Sequence, residues 1–208
     1  MSKDSFTLPR VRLRLTYFNL RARAEPTRLV FAAAGVEYED VRIQRDKWPD
    51  LKPNTPMGQL PVLEVGGVTL CQSMAIARYV AKETGLAGKT KLEEAQADML
   101  VDGIDDLRGR QAVIRKASED RKEECKKELA DFAPDFLSKY ENLCGAHGHL
   151  VGDSLTWADL VFYDVMSKVL VVLPGALDGF PKLAKVMDTV TANEGVATWL
   201  AKRPDTPH

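Results

Sequence analysis

Three short stretches carry residue types able to do chemistry. Tyr17 closes an alternating run, Arg12-Leu13-Arg14-Leu15-Thr16-Tyr17, and Arg21 and Arg23 follow it closely. Alternation suits a half-exposed strand. The C-terminal end of a strand in an α/β unit is where ligands tend to bind. A phenol there can donate a hydrogen bond to a developing anion, although a strand-end tyrosine also serves plain packing. Gln59-Leu60-Pro61 puts a proline at the first residue of a strand. A cis bond, adopted by about 5% of X–Pro bonds, would turn the Leu60 backbone toward an extended ligand; ordinary strand entry is the alternative. Gln72-Ser73 stands where a strand passes into a helix. Spare N–H groups at such a junction accept a carboxylate, or Ser73 simply caps the helix.

The elements that position these residues follow from spacing. Residues 24–34 read as a helix with Pro26 in its first turn and Gly35 just past its end. Residues 40–43 are a strand, and residues 46–54, punctuated by Pro49 and Pro53, read as a loop. Residues 60–65, Gly66-Gly67 and residues 68–70 make a β-hairpin. A helix capped by Ser73 runs to Thr84 and stops at Gly85. The order is β-α-β, a loop, then β-β-α, with a right-handed crossover joining the first two strands. Beyond Gly85 the pattern turns helical: residues 92–118, 119–143, 156–170, 181–193 and 195–202. Met99, Leu100, Ile104 and Leu107 recur at helical spacing, and Pro134 is expected to bend or break the second of these helices. Thr156 and Asp159 form a capping box, with Leu155 and Leu160 as its apolar flanks. The domains are therefore residues 1–88, including an extension at 1–11, and residues 89–208.

Other chemistries lack their motifs. No Gly-rich phosphate loop is present, and His147 and His149 sit in a Gly-flanked loop without a ligand cluster. No nucleophile motif supports a Ser-His-Asp or Cys-His hydrolase. The 208 residues hold 29 Lys and Arg against 30 Asp and Glu, a formal charge of -1. That balance argues against a global field gathering nucleic acid or anionic lipid. The longest strongly apolar run, residues 169–173, falls far short of the about 20 residues that span a membrane. Residues 1–10 lack an apolar signal core. Cys71, Cys125 and Cys144 show neither Cys-x-x-C nor metal spacing, which suits reduced thiols in a cytoplasmic protein.

Taken in order, the motifs resemble those of sigma-class glutathione transferases, including the haematopoietic prostaglandin D synthase type. The resemblance opens with Leu15-Thr16-Tyr17-Phe18-Asn19-Leu20-Arg21-Ala22-Arg23-Ala24-Glu25. It continues through Asp46-Lys47-Trp48-Pro49, Gly58-Gln59-Leu60-Pro61-Val62-Leu63 and Gln72-Ser73-Met74-Ala75-Ile76-Ala77-Arg78-Tyr79. Val101-Asp102-Gly103-Ile104-Asp105-Asp106 and Gly152-Asp153-Ser154-Leu155-Thr156-Trp157-Ala158-Asp159 complete it. Each motif is modest; six in the right order are specific.

The resemblance implies a thioredoxin-like N-terminal α/β domain, an all-helical C-terminal domain and a homodimer that uses glutathione as cosubstrate. Tyr17 matches the tyrosine whose hydroxyl hydrogen-bonds the glutathione sulfur, and Arg23 the arginine supporting it. Trp48 and Lys52 match residues that bind the glycine end. The Leu60 backbone beside a cis Pro61, in the Gly58-Gln59 loop, matches the segment pairing with the cysteinyl part. Gln72 and Ser73 match the pair holding the γ-glutamyl carboxylate, and Asp106 an acid that reaches the γ-glutamyl amine bound by the other subunit. Asp102, Asp105 and Asp106 match interface aspartates that bind a divalent cation, so Mg2+ or Ca2+ is a further expectation. The implied electrophile pocket uses Phe18, Arg21, Arg108, Val113 and Ile114.

Two departures stand out. Ala22 replaces the glycine usual between the two arginines, and Val113 stands where the prostaglandin synthase type has tryptophan. The leading expectation is conjugation of glutathione to small hydrophobic electrophiles. The alternatives are a glutathione-dependent isomerase making prostaglandin D2, and a non-enzymatic crystallin or ligand carrier. A structural protein has no need of the complete residue set.

Overall fold

A computed structural model describes residues 12–145 and 147–206 of the chain. They fall into two compact units, one from Met1–Ala87 and Asn193–His208, the other from Gly88–Ala192. The segment 1–11 lies outside the described residues, as does His208.

The first unit is built on a four-stranded sheet. Its elements are β1 (Leu13–Phe18), α1 (Glu25–Ala34), β2 (Glu39–Ile43), α2 (Trp48–Leu51), β3 (Val62–Val65), β4 (Val68–Cys71) and α3 (Ser73–Glu83). Strand order is β2-β1-β3-β4. β1 runs parallel to β2 and antiparallel to β3, which pairs antiparallel with β4. This is the expected thioredoxin-like α/β arrangement. Leu15, Leu63, Leu29, Phe31, Ile76 and Val80 are completely buried, so the alternation of β1 and the periodicity of α1 and α3 meet in one core. Gly66 and Gly67, at φ 55° and 87°, supply the two left-handed positions that a tight hairpin turn requires.

Residues 46–54 depart from the expected loop. They form α2 flanked by single 3-10 turns at Arg45–Lys47 and Lys52–Asn54. Pro49 and Pro53 sit in first turns, where the missing N–H costs nothing.

The second unit is all helix: α4 (Lys91–Lys116), α5 (Glu119–Leu143), α6 (Trp157–Val172) and α7 (Pro181–Ala192). α6 is apolar nearly all round, with Trp157, Leu160, Val161, Phe162 and Met166 completely buried, and such a helix must be central. α4 packs on it, with Ala97, Ile104 and Leu107 completely buried, while Met99, of the same apolar series, is exposed. α5 does not break at Pro134. Pro134 is on the exposed face, where water can satisfy the carbonyl left free one turn earlier. The opposite face is held by Ala133, Phe136 and Leu137, and by the Tyr140 hydroxyl, which donates to the Leu100 carbonyl at 2.7 Å.

The last helix, α8 (Glu194–Lys202), belongs with the first unit rather than with the helical one. It lies so close to α1 that a Cβ on Gly195 would stand 2.0 Å from the Ala32 carbonyl oxygen.

Candidate functional site

β1 delivers Tyr17 to its C-terminal end, paired in register with Arg42 of β2. Tyr17 is buried, its ring edge-on to Phe18 at 5.6 Å. Phe18 in turn meets the Trp48 ring edge-on at 5.8 Å. An aromatic chain thus runs from the strand end to α2. Beside it lies a cleft of about 500 Å³ lined by Phe18, Arg23, Trp48, Gly58, Gln59, Leu60, Pro61, Gln72 and Ser73.

Each lining residue has a local reason for its place. The turn after β1 closes with Leu20 N–H donating to the Phe18 carbonyl at 2.7 Å, then tightens into a 3-10 turn at Ala22–Ala24. Ala22 sits at φ 34°, in the left-handed region that side chains disfavour. The Leu60–Pro61 bond is cis, and ladder pairing of β3 starts only at Val62, so Leu60 is outside it. Lys52 lies against Gly58, its Cε 3.4 Å from where a Cβ there would be. Gln72 is the second non-glycine residue at positive φ, 71°. A strained residue at a cleft points to function. Its Nε2 donates to Met57 Sδ at 3.4 Å and approaches Gln59 Oε1 at 3.5 Å.

Ser73 does not cap α3, contrary to expectation. Gln72 takes the flanking position, no side chain caps the helix, and Ser73 becomes its first residue. A nearly buried hydroxyl and the positive end of an eleven-residue helix therefore face the cleft together.

The residues expected to line an electrophile pocket are divided between the two units, with Phe18 also on the cleft. Phe18 and Arg21 belong to the first unit; Arg108, Val113 and Ile114 belong to α4 of the second. The Arg21 Nε is buried with no hydrogen-bond partner among the described residues. Arg108 is ion-paired with Asp105, Nη1 to Oδ1 at 3.1 Å, and Arg110 stacks over Phe132 at 4.0 Å. Val113 is exposed and Ile114 buried. Asp102, Asp105 and Asp106 are exposed on α4. Asp105 and Asp106 border a groove of about 460 Å³ with Arg110, Cys125, Glu128 and Phe132. Burial raises the Tyr140 hydroxyl pKa, and the charges of Asp106 and Asp102 raise it further. Among the described residues, no group of three His, Cys, Asp or Glu could hold a metal ion. Among the described residues, no helix is long and apolar enough to cross a membrane.

The cysteines are free thiols. Burial, with help from Asp159 and Glu141, pushes Cys144 up to about 11, which keeps it neutral. His149 is shifted the other way, toward the neutral imidazole, by burial. Neither touches the cleft.

Sequence reasoning missed two features of the first unit. A cavity of about 950 Å³ is bordered by Phe31, Tyr38, Thr198 and Trp199 and shares no residue with the cleft beside Phe18. Glu25 and Arg28, charged and three apart on α1, are completely buried. Their spacing was the only visible sign.

Residues 13–82 match the glutathione S-transferase N-terminal domain, and residues 105–203 the glutathione S-transferase C-terminal domain. The chain is 44% identical over 195 residues to mouse hematopoietic prostaglandin D synthase, across 93% of this chain and 97% of that protein. It is 43% identical over 203 residues to glutathione S-transferase 1 of Ascaris suum, across 94% and 98%. The sigma class transferase of Fasciola hepatica superposes with a TM-score of 0.86 at 31% identity, covering 95% of this chain and 99% of that one.

Proposed function

Because the chain belongs to the glutathione S-transferase family, we propose that it is a sigma-class enzyme that activates the glutathione thiol for attack on small hydrophobic electrophiles. One observation carries this reading. Arg23, Trp48, Gln59, Leu60, Gln72 and Ser73, distant in sequence, line one cleft at the strand end that bears Tyr17.

Each group has a task that its chemistry fits. The Tyr17 hydroxyl donates to the sulfur, with the Arg23 cation favouring the anion. A free thiol has a pKa of about 8.5, so only a few per cent is thiolate at neutral pH. Lowering it by two units takes about 2.7 kcal/mol, within reach of one hydrogen bond to a charged group at about 1.5–3 kcal/mol. Trp48 and Lys52 hold the glycine carboxylate. The Leu60 main chain, free of the ladder, pairs with the cysteinyl segment. Gln72, Ser73 and the α3 N-terminus take the γ-glutamyl carboxylate. In a homodimer, Asp106 of one copy meets the γ-glutamyl amine held by the other. Asp102, Asp105 and Asp106 would meet a weakly held Mg2+ or Ca2+ only where a second copy supplies further ligands, and the compartment is the cytoplasm. The bound thiolate then forms a C–S bond while the leaving group departs with its electron pair.

The likeness to the mouse prostaglandin D synthase favours a second reading, a glutathione-dependent isomerase of prostaglandin metabolism. Val113 weighs against that substrate.

The test is the ultraviolet thiolate band of the glutathione complex together with turnover of an activated aryl chloride. The wild type should show the band. Tyr17→Phe should keep glutathione binding and lose roughly 10- to 150-fold in turnover, the value of one such hydrogen bond. An unchanged rate would remove Tyr17 from thiol activation, and a wild type with no glutathione-dependent turnover would overturn the reading.

A further inference from the structure

Charged residues outside the mechanism above hold the turn after Tyr17 from behind. The Leu20 carbonyl accepts from Arg28 Nη1 at 2.7 Å, and Asn19 Oδ1 accepts from Arg42 Nη1 at 3.1 Å. Arg28 is completely buried. Its Nε donates to Asp40 Oδ1 at 3.1 Å, and its Nη1 lies 3.5 Å from Glu25 Oε2. The other Asp40 oxygen accepts from Arg42 Nε at 2.8 Å, which ties the two arginines together.

Glu25 is also completely buried, and the far end of the sequence engages it. Its Oε1 accepts from Trp199 Nε1 at 2.9 Å and from Arg203 Nη1 at 2.8 Å. An unbroken path of contacts therefore leads from α8 and the residue just past it, through Glu25 and Arg28, to the Leu20 carbonyl. That carbonyl stands one residue before Arg21 and three before Arg23.

Two facts give this path a purpose beyond packing. Buried ion pairs are often no more stabilising than apolar residues of the same volume, so stability alone is a weak reason to bury Glu25 and Arg28. The turn they hold contains Ala22 at φ 34°, a conformation the turn would not keep unaided. If it relaxed, Arg23 would leave the cleft that it now lines.

We propose that Glu25 is a positioning residue: pinned by Trp199 and Arg203, it holds Arg28 on the Leu20 carbonyl and so sets the turn that carries Arg23 to the glutathione thiol. The proposal rests on the reading of the cleft as a glutathione site. It makes the C-terminal segment a determinant of thiol ionisation although that segment touches no substrate in this scheme.

The experiment compares wild type with Arg203→Met, Arg203→Lys, Trp199→Phe and Glu25→Gln. It reads the thiolate band of the glutathione complex against pH, kcat and KM for both substrates, and thermal unfolding. Arg203→Met should raise the apparent pKa of the bound thiol by about half a unit to one unit, a roughly 3- to 10-fold loss of kcat/KM below that pKa. The rate at high pH and the KM for the electrophile should stay put. Arg203→Lys, which keeps a cation on Glu25, should restore most of the loss, and Trp199→Phe should shift the limb in the same direction as Arg203→Met. Glu25→Gln should act more strongly in that direction. Should it fail to fold, Arg203→Met at the partly exposed end of the path decides. Folded variants with lowered unfolding temperature but an unshifted pH limb overturn the proposal and leave the glutathione reading standing. A wild type without any glutathione-dependent band overturns both.

Discussion

Replacing Asp159 by alanine removes the acceptor that organises the start of α6. The carboxylate is completely buried and accepts three hydrogen bonds. Leu150 N–H donates to Oδ1 at 2.6 Å; Thr156 N–H and hydroxyl donate to Oδ2 at 2.7 and 3.0 Å. Alanine strands two buried backbone donors at about 1–3 kcal/mol each, so the expected loss is about 2–6 kcal/mol. Whole domains hold only about 5–15 kcal/mol.

The pH dependence of that loss has a definite sign. Burial pushes the Asp159 carboxyl up to about 6, against the pull of its donors. A folded pKa above the ordinary value of about 3.9 means that the folded state takes the proton first. The stabilisation from this group is full below about pH 4 and is lost as pH rises through about 6. Between pH 7 and pH 5 the wild type gains on the order of 1 kcal/mol that the alanine variant does not. His149, with Nδ1 3.9 Å from Asp159, is held toward neutrality by burial; its protonation opposes folding toward acid in wild type and variant alike and so drops out of their difference to first order. Urea midpoints at pH 5, 6 and 7 would read the difference. A deficit below about 1 kcal/mol would mean that the stranded donors find water. A deficit that narrows toward pH 5 would refute the burial account, because the three donors would then be holding the carboxyl below its ordinary value.

Two further substitutions probe the two units separately. Gly195→Ala drives a methyl group against the Ala32 carbonyl and should cost about 1–3 kcal/mol by forcing α8 off α1; an unchanged denaturation midpoint would contradict the close approach. Asp106→Asn should weaken glutathione affinity without moving the thiolate limb, measured after light scattering confirms a dimer; wild-type affinity in an intact dimer would remove Asp106 from the site.

The sheet and long helices were legible because their apolar periods and glycine stops agree. β1 alternates, Gly35 ends α1, and Gly66-Gly67 turns the hairpin. The misreadings share a cause: single residues stand for local habits that the neighbourhood overrides. Proline suggested a loop at residues 46–54 and a break at Pro134, yet the ring sits where its missing N–H or displaced carbonyl costs little. Serine suggested a cap, yet Gln72 adopts the flanking conformation. Tyr17, Leu60-Pro61 and Gln72-Ser73 were recognisable as three separate stretches; that the last two line one cleft together with Phe18, the neighbour of Tyr17, is tertiary information. Glu25 and Arg28 were invisible because charged residues default to the surface, and two of the partners that let Glu25 be buried, Trp199 and Arg203, lie 174 and 178 residues away.

On the proposed reading, selectivity toward the electrophile turns on what the arginines of α4 are already doing. Long arginines on a helix suggest either recognition of an anion or plain solvation, and Arg108 and Arg110 are two such residues. Neither description fits. Arg108 is largely covered and its Nη1 is engaged by Asp105, while Arg110 lays its guanidinium on Phe132. A carboxylate-bearing substrate would have to displace Asp105 to gain a charge-assisted bond from that Nη1, exchanging one ion pair for another at little net gain. From α4 that leaves apolar shape: the exposed Val113, and a position where the prostaglandin synthase type carries a tryptophan. Replacing an indole by an isopropyl group removes aromatic stacking area and widens whatever space it bordered. A pocket so built discriminates by apolar fit, where each methylene is worth only about 1–3 kcal/mol. On the proposed reading, such a pocket would accept a range of hydrophobic electrophiles in preference to one tightly specified lipid, and similar turnover across a panel of unrelated apolar electrophiles is the expected result.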